Sequence, residues 1–436
     1  MVAPSGRSST TGRGKVVVGI VMPSSQREAG GASSLTAIEG GAGRALPGAG
    51  PAPVVLQVLP ALESGGVERG TVDMAAALSR AGWTAIVASA GGPMVHEVER
   101  AGARHVTLRL DAKTPLALHE NAGLLTALMY DHKVDIIHAR SRAPAWSALL
   151  AARRSRAHLV TTFHGTYGAG NAIKRFYNSV MTKGQRVIAI SDFIAGHVRQ
   201  TYGIDDERLV TIPRGIDTRI FNPAGVSAER IIQLAKAWRL TDGLTDGLPV
   251  VMLPGRLTRW KGQTVLIEAL AKLGRRDLRG VLVGGDQGRL RYRQELEQLV
   301  SERDLGDVVR IVDHCRDMAA AYMLADVVVS ASTDPEAFGR VSVEAQAMGR
   351  PVVVTNHGAT RETMLPGRTG WQVPPDDPAA LAAALDQALA LDEAARRQMA
   401  ETARAHVEAH FGVELMQSRT MELYQDLLQS RLKGVA

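Results

Sequence analysis

The sequence has little cysteine, few aromatic residues and no long apolar run. Its single cysteine, Cys315, cannot form a disulfide within the chain, which excludes a disulfide-stapled fold and fits a reducing compartment. No apolar run reaches the roughly eighteen residues that a membrane-spanning helix needs. The short apolar stretch 16–22 leaves a truncated signal segment as the alternative to the cytoplasmic location that we expect.

Two nucleotide-binding motifs are also missing. The chain contains neither the G-x-G-x-x-G fingerprint of dinucleotide-binding folds nor the G-x-x-x-x-G-K-[ST] loop of P-loop enzymes. Aromatic residues make up 4% of the chain, so a stacking platform for single-stranded nucleic acid is not evident. These absences argue against dinucleotide-dependent, P-loop and nucleic-acid-binding proteins.

One segment has no negative charge. The net charge of the chain is +7, and residues 136–191 contain no Asp or Glu. A basic surface attracts nucleic acid, anionic lipid headgroups or a phosphorylated acceptor, whereas a solvated helix face is the alternative interpretation. The basic residues of this segment are Arg140, Arg142, Arg153, Arg154, Arg156, Lys174, Arg175, Lys183 and Arg186.

The chain divides into a leader and two series of strands. Residues 1–50 are rich in Gly, Ser, Ala and Pro, which predicts a disordered leader. From residue 53, short Val, Ile and Leu runs alternate with helical patterns, as is typical of right-handed βαβ units on parallel sheets. The predicted strands are 54–59, 85–89, 134–138, 158–163 and 186–190, then 250–254, 280–284, 308–312, 326–330 and 351–355.

We therefore predict an α/β fold of two Rossmann-like doubly wound domains that face one cleft, since such sheets bind ligands at the carboxyl ends of their strands. The N-terminal domain covers 51–213, and the C-terminal domain covers 249–413. Residues 214–248, with their Pro, Gly and Asp, are predicted to be the linker. By its pattern alone, the final helix, 414–432, could pack on either domain.

Two motifs of the first domain lie at strand ends. Gly65 and Gly66 precede a helix, where glycine lets the backbone approach an anion held by free helix amides; a tight turn is the alternative. His164 directly follows a strand and could exchange hydrogen bonds at a reacting centre, with a structural histidine as the alternative. Ser191 is expected to cap a helix, and Arg214 to lie in a turn.

The second domain has a basic loop between its first strand and a helix that starts near Gly262. Arg256 and Lys261 lie in this loop, beside the free amides of the helix. Arginine offers a planar fork and lysine a point charge, so the pair suits a pyrophosphate. Surface cations on an ordinary loop are the alternative.

Two glutamates flank the start of another helix in the second domain. Glu336 precedes the helix and Glu344 lies in its second turn. Carboxylates accept hydrogen bonds from hydroxyl groups, so this pair suits a sugar and a ribose, unless both glutamates are simply solvated. Between the two glutamates, the candidate donor-binding set also includes Ala337, Phe338 and Gly339.

Together these motifs resemble those of the retaining GT-B glycosyltransferases of family 4. They follow the family's order and spacing over residues 53–430. The motifs are G-G-V-E-R (65–69), H-G-T (164–166), R-G-I-D (214–217), G-R-x-x-x-x-K-G (255–262) and E-A-F-G-R-V-S-V-E (336–344).

The resemblance implies a retaining hexosyltransferase whose C-terminal domain binds a nucleotide-diphosphate-sugar donor. Arg256 and Lys261 would neutralise the diphosphate, Glu336 would contact the sugar hydroxyls, and Glu344 the ribose. It also implies that the Gly65-Gly66 loop lies near the phosphates, that His164 lies near the donor sugar, and that the last helix crosses back to the N-terminal domain. We expect His164, Arg256, Lys261 and Glu336 to be catalytic.

The chain departs from the family pattern at two places. Arg214 stands where many members have Asn, and Gly284-Gly285-Asp286-Gln287 replaces a commoner G-x-G-P turn. These departures leave the base and acceptor preferences open. The chain also lacks a D-x-D motif, the metal-holding signature of the other major glycosyltransferase fold, so we expect neither a metal nor another cofactor.

The expected acceptor is a glycan or a lipid-linked glycan, as in the synthesis of lipopolysaccharide or another envelope polysaccharide. Basic residues between 140 and 186 are expected to contact an anionic membrane from its cytoplasmic side. A sugar-nucleotide epimerase and a non-catalytic nucleotide-sugar-binding protein are the alternatives. Nucleic-acid binding rests on charge alone, and no nucleic-acid partner is expected.

Overall fold

A computed structural model describes residues 51–63, 65–168, 170–240 and 247–433 of the chain. The leader predicted for residues 1–50 lies outside the described residues. Within the described ranges the strands form two sheets, of seven and six strands. The strands are β1 (Val54–Val58), β2 (Thr84–Ser89), β3 (Arg104–Thr107), β4 (Ile136–Ala139), β5 (His158–Phe163), β6 (Arg186–Ala189), β7 (Leu209–Thr211), β8 (Val250–Pro254), β9 (Arg279–Val283), β10 (Val309–Val312), β11 (Val327–Ser330), β12 (Val352–Thr355) and β13 (Gly370–Val373).

Both sheets are parallel and doubly wound. The first has the order β3-β2-β1-β4-β5-β6-β7 and the second the order β10-β9-β8-β11-β12-β13. The strand order reverses between β1 and β4 and again between β8 and β11, and ligands bind outside the strand ends at such points. The prediction of two Rossmann-like domains is therefore confirmed.

Helices connect the strands and cover the sheets. Several begin at a side-chain cap, as where the Ser191 hydroxyl accepts a hydrogen bond from the Ile194 amide at 3.1 Å. The helices are α1 (Gly66–Arg80), α2 (Val95–Arg100), α3 (Pro115–Asp131), α4 (Arg142–Arg153), α5 (Ala172–Ser179), α6 (Asp192–Tyr202), α7 (Ala228–Ala237), α8 (Gln263–Leu273), α9 (Leu290–Glu302), α10 (Met318–Leu324), α11 (Arg340–Ala347), α12 (Pro378–Leu389), α13 (Glu393–Phe411) and α14 (Val413–Lys433).

The central strands are almost entirely apolar because helices cover both faces of each sheet. All five residues of β8, for example, are buried. One apolar cluster contains residues of both domains, among them Ile194 of α6 and Phe338, which lies just before α11. The Phe338 ring centroid lies 5.7 Å from that of Phe411. The domains are thus held together by apolar packing next to the predicted cleft.

Two segments outside the sheets show how the chain is divided. Helix α7, within the predicted linker 214–248, packs against α10, and Leu240 beyond it is buried in the core of the second sheet, so this segment is partly built into the C-terminal domain. Helix α14 buries Leu423, Tyr424 and Leu427 in the core beside α1, so this helix packs on the N-terminal domain. In the ranges that the structure describes, no helix is both long enough and apolar enough to cross a membrane.

Candidate active site

His164 follows β5 and is half-buried beside Arg214. The Arg214 Nη2 atom donates a hydrogen bond to His164 Nδ1 at 2.9 Å. Burial, together with the cations Arg214 and Arg140, holds the pKa of His164 well below its usual value. The imidazole is therefore neutral, and because Nδ1 accepts a hydrogen bond, its proton is on Nε2. Among the described residues Nε2 has no partner, so its N–H is available to a ligand.

Gly66 lets Arg214 lie against the start of α1. A Cβ atom at Gly66 would lie 2.0 Å from the Arg214 Nη1 atom, closer than any side chain tolerates. A Cβ atom at Gly65 would similarly lie 2.5 Å from Glu68 Oε2. The two glycines thus make room for charged side chains, in addition to any approach of a ligand to the helix amides.

A cavity that is partly open to solvent lies at the carboxyl ends of β4, β5 and β6. Gly66 and His164 line it from the N-terminal domain, and Arg340 lines it from the C-terminal domain. The cavity therefore lies where the two domains meet, as the fold predicts. Its charged lining residues are Arg69, Asp73, Arg140, Arg214 and Arg340.

Lys261 and Glu336 meet at the strand ends of the second sheet. Lys261 Nζ lies 2.5 Å from Glu336 Oε1, which also accepts a hydrogen bond from Ser332 Oγ at 2.6 Å. The ammonium group lies 4.3 Å from the centre of the Trp260 ring. In the described part of the chain, the second carboxylate oxygen of Glu336 has no hydrogen-bond partner. The pair therefore offers a cation and a free acceptor side by side.

The remaining predicted donor-site residues lie in different surroundings. Arg256 is exposed, and no described residue makes a hydrogen bond with its side chain. Glu344 is buried: its Oε2 accepts a hydrogen bond from the Tyr322 hydroxyl at 2.8 Å, and its Oε1 accepts one from Arg340 Nη2 at 2.6 Å. Glu344 therefore holds Arg340 at the cavity, while Arg256 is free to turn towards an anion.

The loop from Glu336 to Gly339 also touches the other domain. The Ser191 hydroxyl donates a hydrogen bond to the Ala337 carbonyl at 2.8 Å, so the predicted N-cap of α6 has a second contact. The Glu362 carboxylate accepts hydrogen bonds from the amides of Asp192 and Phe193 at 2.8 and 2.6 Å. The C-terminal domain thus caps a helix of the N-terminal domain.

The structure corrects the interpretation of the basic segment. Arg140 does not lie on the surface: it is 5% exposed, and its Nε and Nη2 atoms donate to Gln57 Oε1 at 2.9 and 2.5 Å. Arg142 is half-buried over the Tyr167 ring. The sequence did signal the place of Arg140, which directly follows β4 just as His164 directly follows β5.

Sequence reasoning also missed three other residues of the cavity. Arg214 was expected only in a turn, whereas its guanidinium lies in the cavity. Asp73 and Arg340 were not singled out, because a helical position gives no sign of what a side chain faces. Burial raises the pKa of Asp73 to about 6 despite the neighbouring arginines.

The two facing Rossmann-like domains have the GT-B architecture. A family model described as Glycosyltransferase Family 4 matches residues 64–220, and one described as Glycosyl transferases group 1 matches residues 237–406. The two matches together span both domains. The chain therefore belongs to glycosyltransferase family 4.

Curated relatives and solved structures agree with this assignment. A D-inositol 3-phosphate glycosyltransferase of Xylanimonas cellulosilytica is 31% identical over 68% of this chain and 73% of the relative. One of Kineococcus radiotolerans is 28% identical over 85% of this chain and 92% of the relative. The crystal structure of a Rickettsia africae glycosyltransferase superposes with a TM-score of 0.80 and 36% identity, over 87% of this chain and 99% of that one. Anabaena HepE in complex with UDP-glucose, at 24% identity, shares the fold, with a TM-score of 0.74 over 86% of this chain and 99% of that one.

Proposed function

We propose that this glycosyltransferase moves a hexosyl group from a nucleotide-diphosphate sugar to a glycan or lipid-linked acceptor, with retention of anomeric configuration. The observation that carries the proposal is the Lys261–Glu336 pair at the strand ends of the second sheet, with Arg256 free in the same loop as Lys261. The complex of HepE with UDP-glucose supports a nucleotide-sugar donor. Retention rests on the family resemblance, with attack from the face that the diphosphate leaves.

The difficult step is the departure of the nucleoside diphosphate, because negative charge grows on its oxygens. Lys261 and Arg256 stabilise that charge in this proposal, as preorganised cations do in many active sites. The free oxygen of Glu336 accepts a hydrogen bond from a donor-sugar hydroxyl. Glu344 binds the ribose in this proposal, because its Oε2 atom can accept a further hydrogen bond beside the one from Tyr322. The N–H at His164 Nε2 is directed to an oxygen of the donor sugar. No divalent ion is required, since the two cations take the place of a metal.

A membrane-facing acceptor is the finer part of the proposal. Helix α5 exposes 81% of Ile173 and 66% of Phe176, next to the exposed Lys174 and Arg175. Apolar side chains flanked by lysine and arginine suit the interface of an anionic membrane. We therefore place membrane contact on α5 and on the exposed arginines that end α4, at the cytoplasmic side, as for a lipid-linked envelope glycan.

The experiment that tests the proposed function pairs donor binding with product analysis. A thermal-shift panel of UDP-, GDP- and ADP-sugars identifies the donor, because a ligand that binds the folded state raises its melting temperature. Mass spectrometry of the product then separates transfer to an acceptor from epimerisation of the donor, in assays with and without EDTA. Absence of both binding and transfer would overturn the proposal.

Lys261→Ala should lower turnover about a hundredfold or more at saturating donor. Loss of one preorganised charge-stabilising donor typically costs about 2.7–4 kcal/mol of transition-state stabilisation. Lys272→Ala is the matched control, because Lys272 is an exposed lysine of α8. Turnover is measured for both variants, and equal rates would remove Lys261 from the catalytic site.

A further inference from the structure

The cavity at the ends of β4, β5 and β6 is lined by two arginines, the buried Arg140 and the half-buried Arg214, whose hydrogen-bond partners carry no charge. Arg140 donates to the amide oxygen of Gln57, and Arg214 donates to the neutral ring of His164. Burying a cation is costly unless an anion pairs with it. We propose that this cavity binds an anionic group of the acceptor, a phosphate or a carboxylate, through Arg140 and Arg214. The inference rests on the proposed function, because it assigns the acceptor side of the same reaction.

The other two arginines of the cavity already have anionic partners. Arg69 Nη1 lies 2.7 Å from Glu97 Oε2, and Arg340 Nη2 lies 2.6 Å from Glu344 Oε1. Among the described residues that line the cavity, Asp73 is the one carboxylate. Arg140 and Arg214 together therefore outweigh Asp73, and an anionic ligand would complete the charge balance.

The electrostatics at Arg214 agree with an excess of positive charge. Burial, and after it the nearby cations Arg340 and Arg140, lowers the pKa of Arg214 to about 9 against the smaller opposing effect of Glu68. The two arginines of the proposed site, Arg214 and Arg140, also lower the pKa of His164. A bound anion would relieve this repulsion, and the planar guanidinium groups can form paired hydrogen bonds with phosphate or carboxylate oxygens.

The position of the cavity favours the acceptor over the donor diphosphate. In the proposed function the diphosphate already has Arg256 and Lys261 in the C-terminal domain, whereas Arg140 and Arg214 follow strands β4 and β7 of the first sheet. His164 lines the same cavity with a free N–H at Nε2. A molecule anchored by the two arginines would therefore place its hydroxyl groups beside the histidine that is proposed to contact the donor sugar.

The test is a 31P NMR titration of inorganic phosphate into the full chain. It is carried out on the free protein and on protein saturated with the nucleoside diphosphate of the donor found in the thermal-shift panel. We expect phosphate to bind in both states with similar affinity. Arg214→Asn, which removes the guanidinium group, should weaken phosphate binding about 10- to 100-fold, as expected for the loss of a charge-assisted hydrogen bond.

A second variant changes the charge of the cavity in the opposite direction. Asp73→Asn removes its carboxylate and should strengthen phosphate binding, whereas Arg109→Gln, at an exposed position of the same domain, should change nothing. If Arg214→Asn fails to fold, as judged by circular dichroism, the Asp73→Asn and wild-type titrations still decide the question. Weaker phosphate binding in Arg214→Asn and stronger binding in Asp73→Asn would together indicate a specific anion site in this cavity.

Two results would overturn the inference. Displacement of phosphate by the nucleoside diphosphate would assign the arginines to the donor, and unchanged phosphate binding in both cavity variants would place the anion elsewhere. Failure of the proposed function has a different signature, namely no nucleotide-sugar binding in the thermal-shift panel. In that case the titration of the free protein still tests the anion site.

Discussion

At the scale of single residues, Asp73 is a half-buried carboxyl group whose ionisation opposes folding. Burial raises its pKa from 3.8 to about 6, so the folded chain holds this proton more tightly than the unfolded chain does. The contribution of Asp73 to the free energy of unfolding therefore falls as the pH rises from about 4 to about 6, and it stays low above that range. This penalty is the local cost of placing a carboxylate inside the arginine-lined cavity.

Asp73→Asn should raise the free energy of unfolding by about 2–3 kcal/mol at pH 7.5, since each pKa unit is worth about 1.4 kcal/mol. The gain should shrink towards zero as the pH falls below about 4. Urea unfolding of the variant and the wild type at matched pH values measures the difference directly. Equal stability at pH 7.5 would show that the carboxylate carries no such penalty.

Single residues also mark the limit of prediction from the sequence. The place of His164 after a strand could be predicted, because parallel strands bring their carboxyl ends to one edge of the sheet. Arg140 has the same kind of position but was grouped with exposed cations. A linear pattern shows that a residue ends a strand but not whether its side chain turns inward. The pairing of Arg214 with His164 joins positions fifty residues apart, and no local signal indicates it.

At the scale of elements, the loop that carries Lys261 depends on Gly262. Its φ is +71°, a left-handed conformation that disfavours any residue with a side chain, and a Cβ there would lie 1.9 Å from the Ala331 carbonyl oxygen. Gly262 directly precedes α8, and Gly274 directly follows it. Gly274 has a φ of +67°, but no atom would lie within 4 Å of a Cβ there. The two glycines therefore differ in their surroundings and share the backbone conformation.

Gly262→Ala should lower the free energy of unfolding by roughly 2–5 kcal/mol, because it adds a clash with fixed backbone to the conformational strain. Gly274→Ala should cost about 1 kcal/mol, since only the strain applies. Chemical denaturation of the two variants measures both values. The interpretation of the loop would be wrong if the two substitutions cost the same.

Buried strands could be predicted from the sequence more accurately than partly exposed ones. The ten predicted strands are all present within about two residues of their expected ends, because helices on both faces of a sheet require continuous apolar runs. The edge strands β3, β7 and β13 were missed, since they are short and partly exposed, as the sequence R-H-V-T of β3 illustrates. Helix α7 was missed because the Pro- and Gly-containing segments around it suggested a linker.

Helix α5 gives a prediction about membrane contact. The double charge reversal Lys174→Glu, Arg175→Glu should weaken binding to vesicles that contain anionic lipid at least tenfold, because each basic residue near such a surface is worth about 1 kcal/mol. Arg291→Glu, at an exposed position of the other domain, is the control. Vesicle co-sedimentation compares anionic with neutral lipid. Equal binding of the double variant and the control variant would contradict the assignment.

At the scale of the whole molecule, the proposed chemistry is divided between the two domains. The donor groups lie on the second sheet, and the anion cavity lies on the first, with Arg340 reaching across. Transfer of the sugar therefore depends on contacts that keep the two domains in a fixed relative position. The apolar contact around Phe338 supplies packing, while Ser191 and Glu362 supply directional hydrogen bonds between the donor domain and the start of α6.

Glu362→Ala should loosen this contact without unfolding either domain. The amides of Asp192 and Phe193 lose their carboxylate partner, so their hydrogen exchange should accelerate, and loss of a helix cap should cost about 1 kcal/mol of stability. Hydrogen exchange followed by mass spectrometry, with Glu401→Ala at an exposed position of α13 as the control, measures the change. Because Glu362 and the Ala337 carbonyl of the loop 336–339 both contact the start of α6, the donor KM should rise in the same variant. Faster exchange with an unchanged donor KM would mean that the cap stabilises α6 but has no part in aligning the domains for transfer.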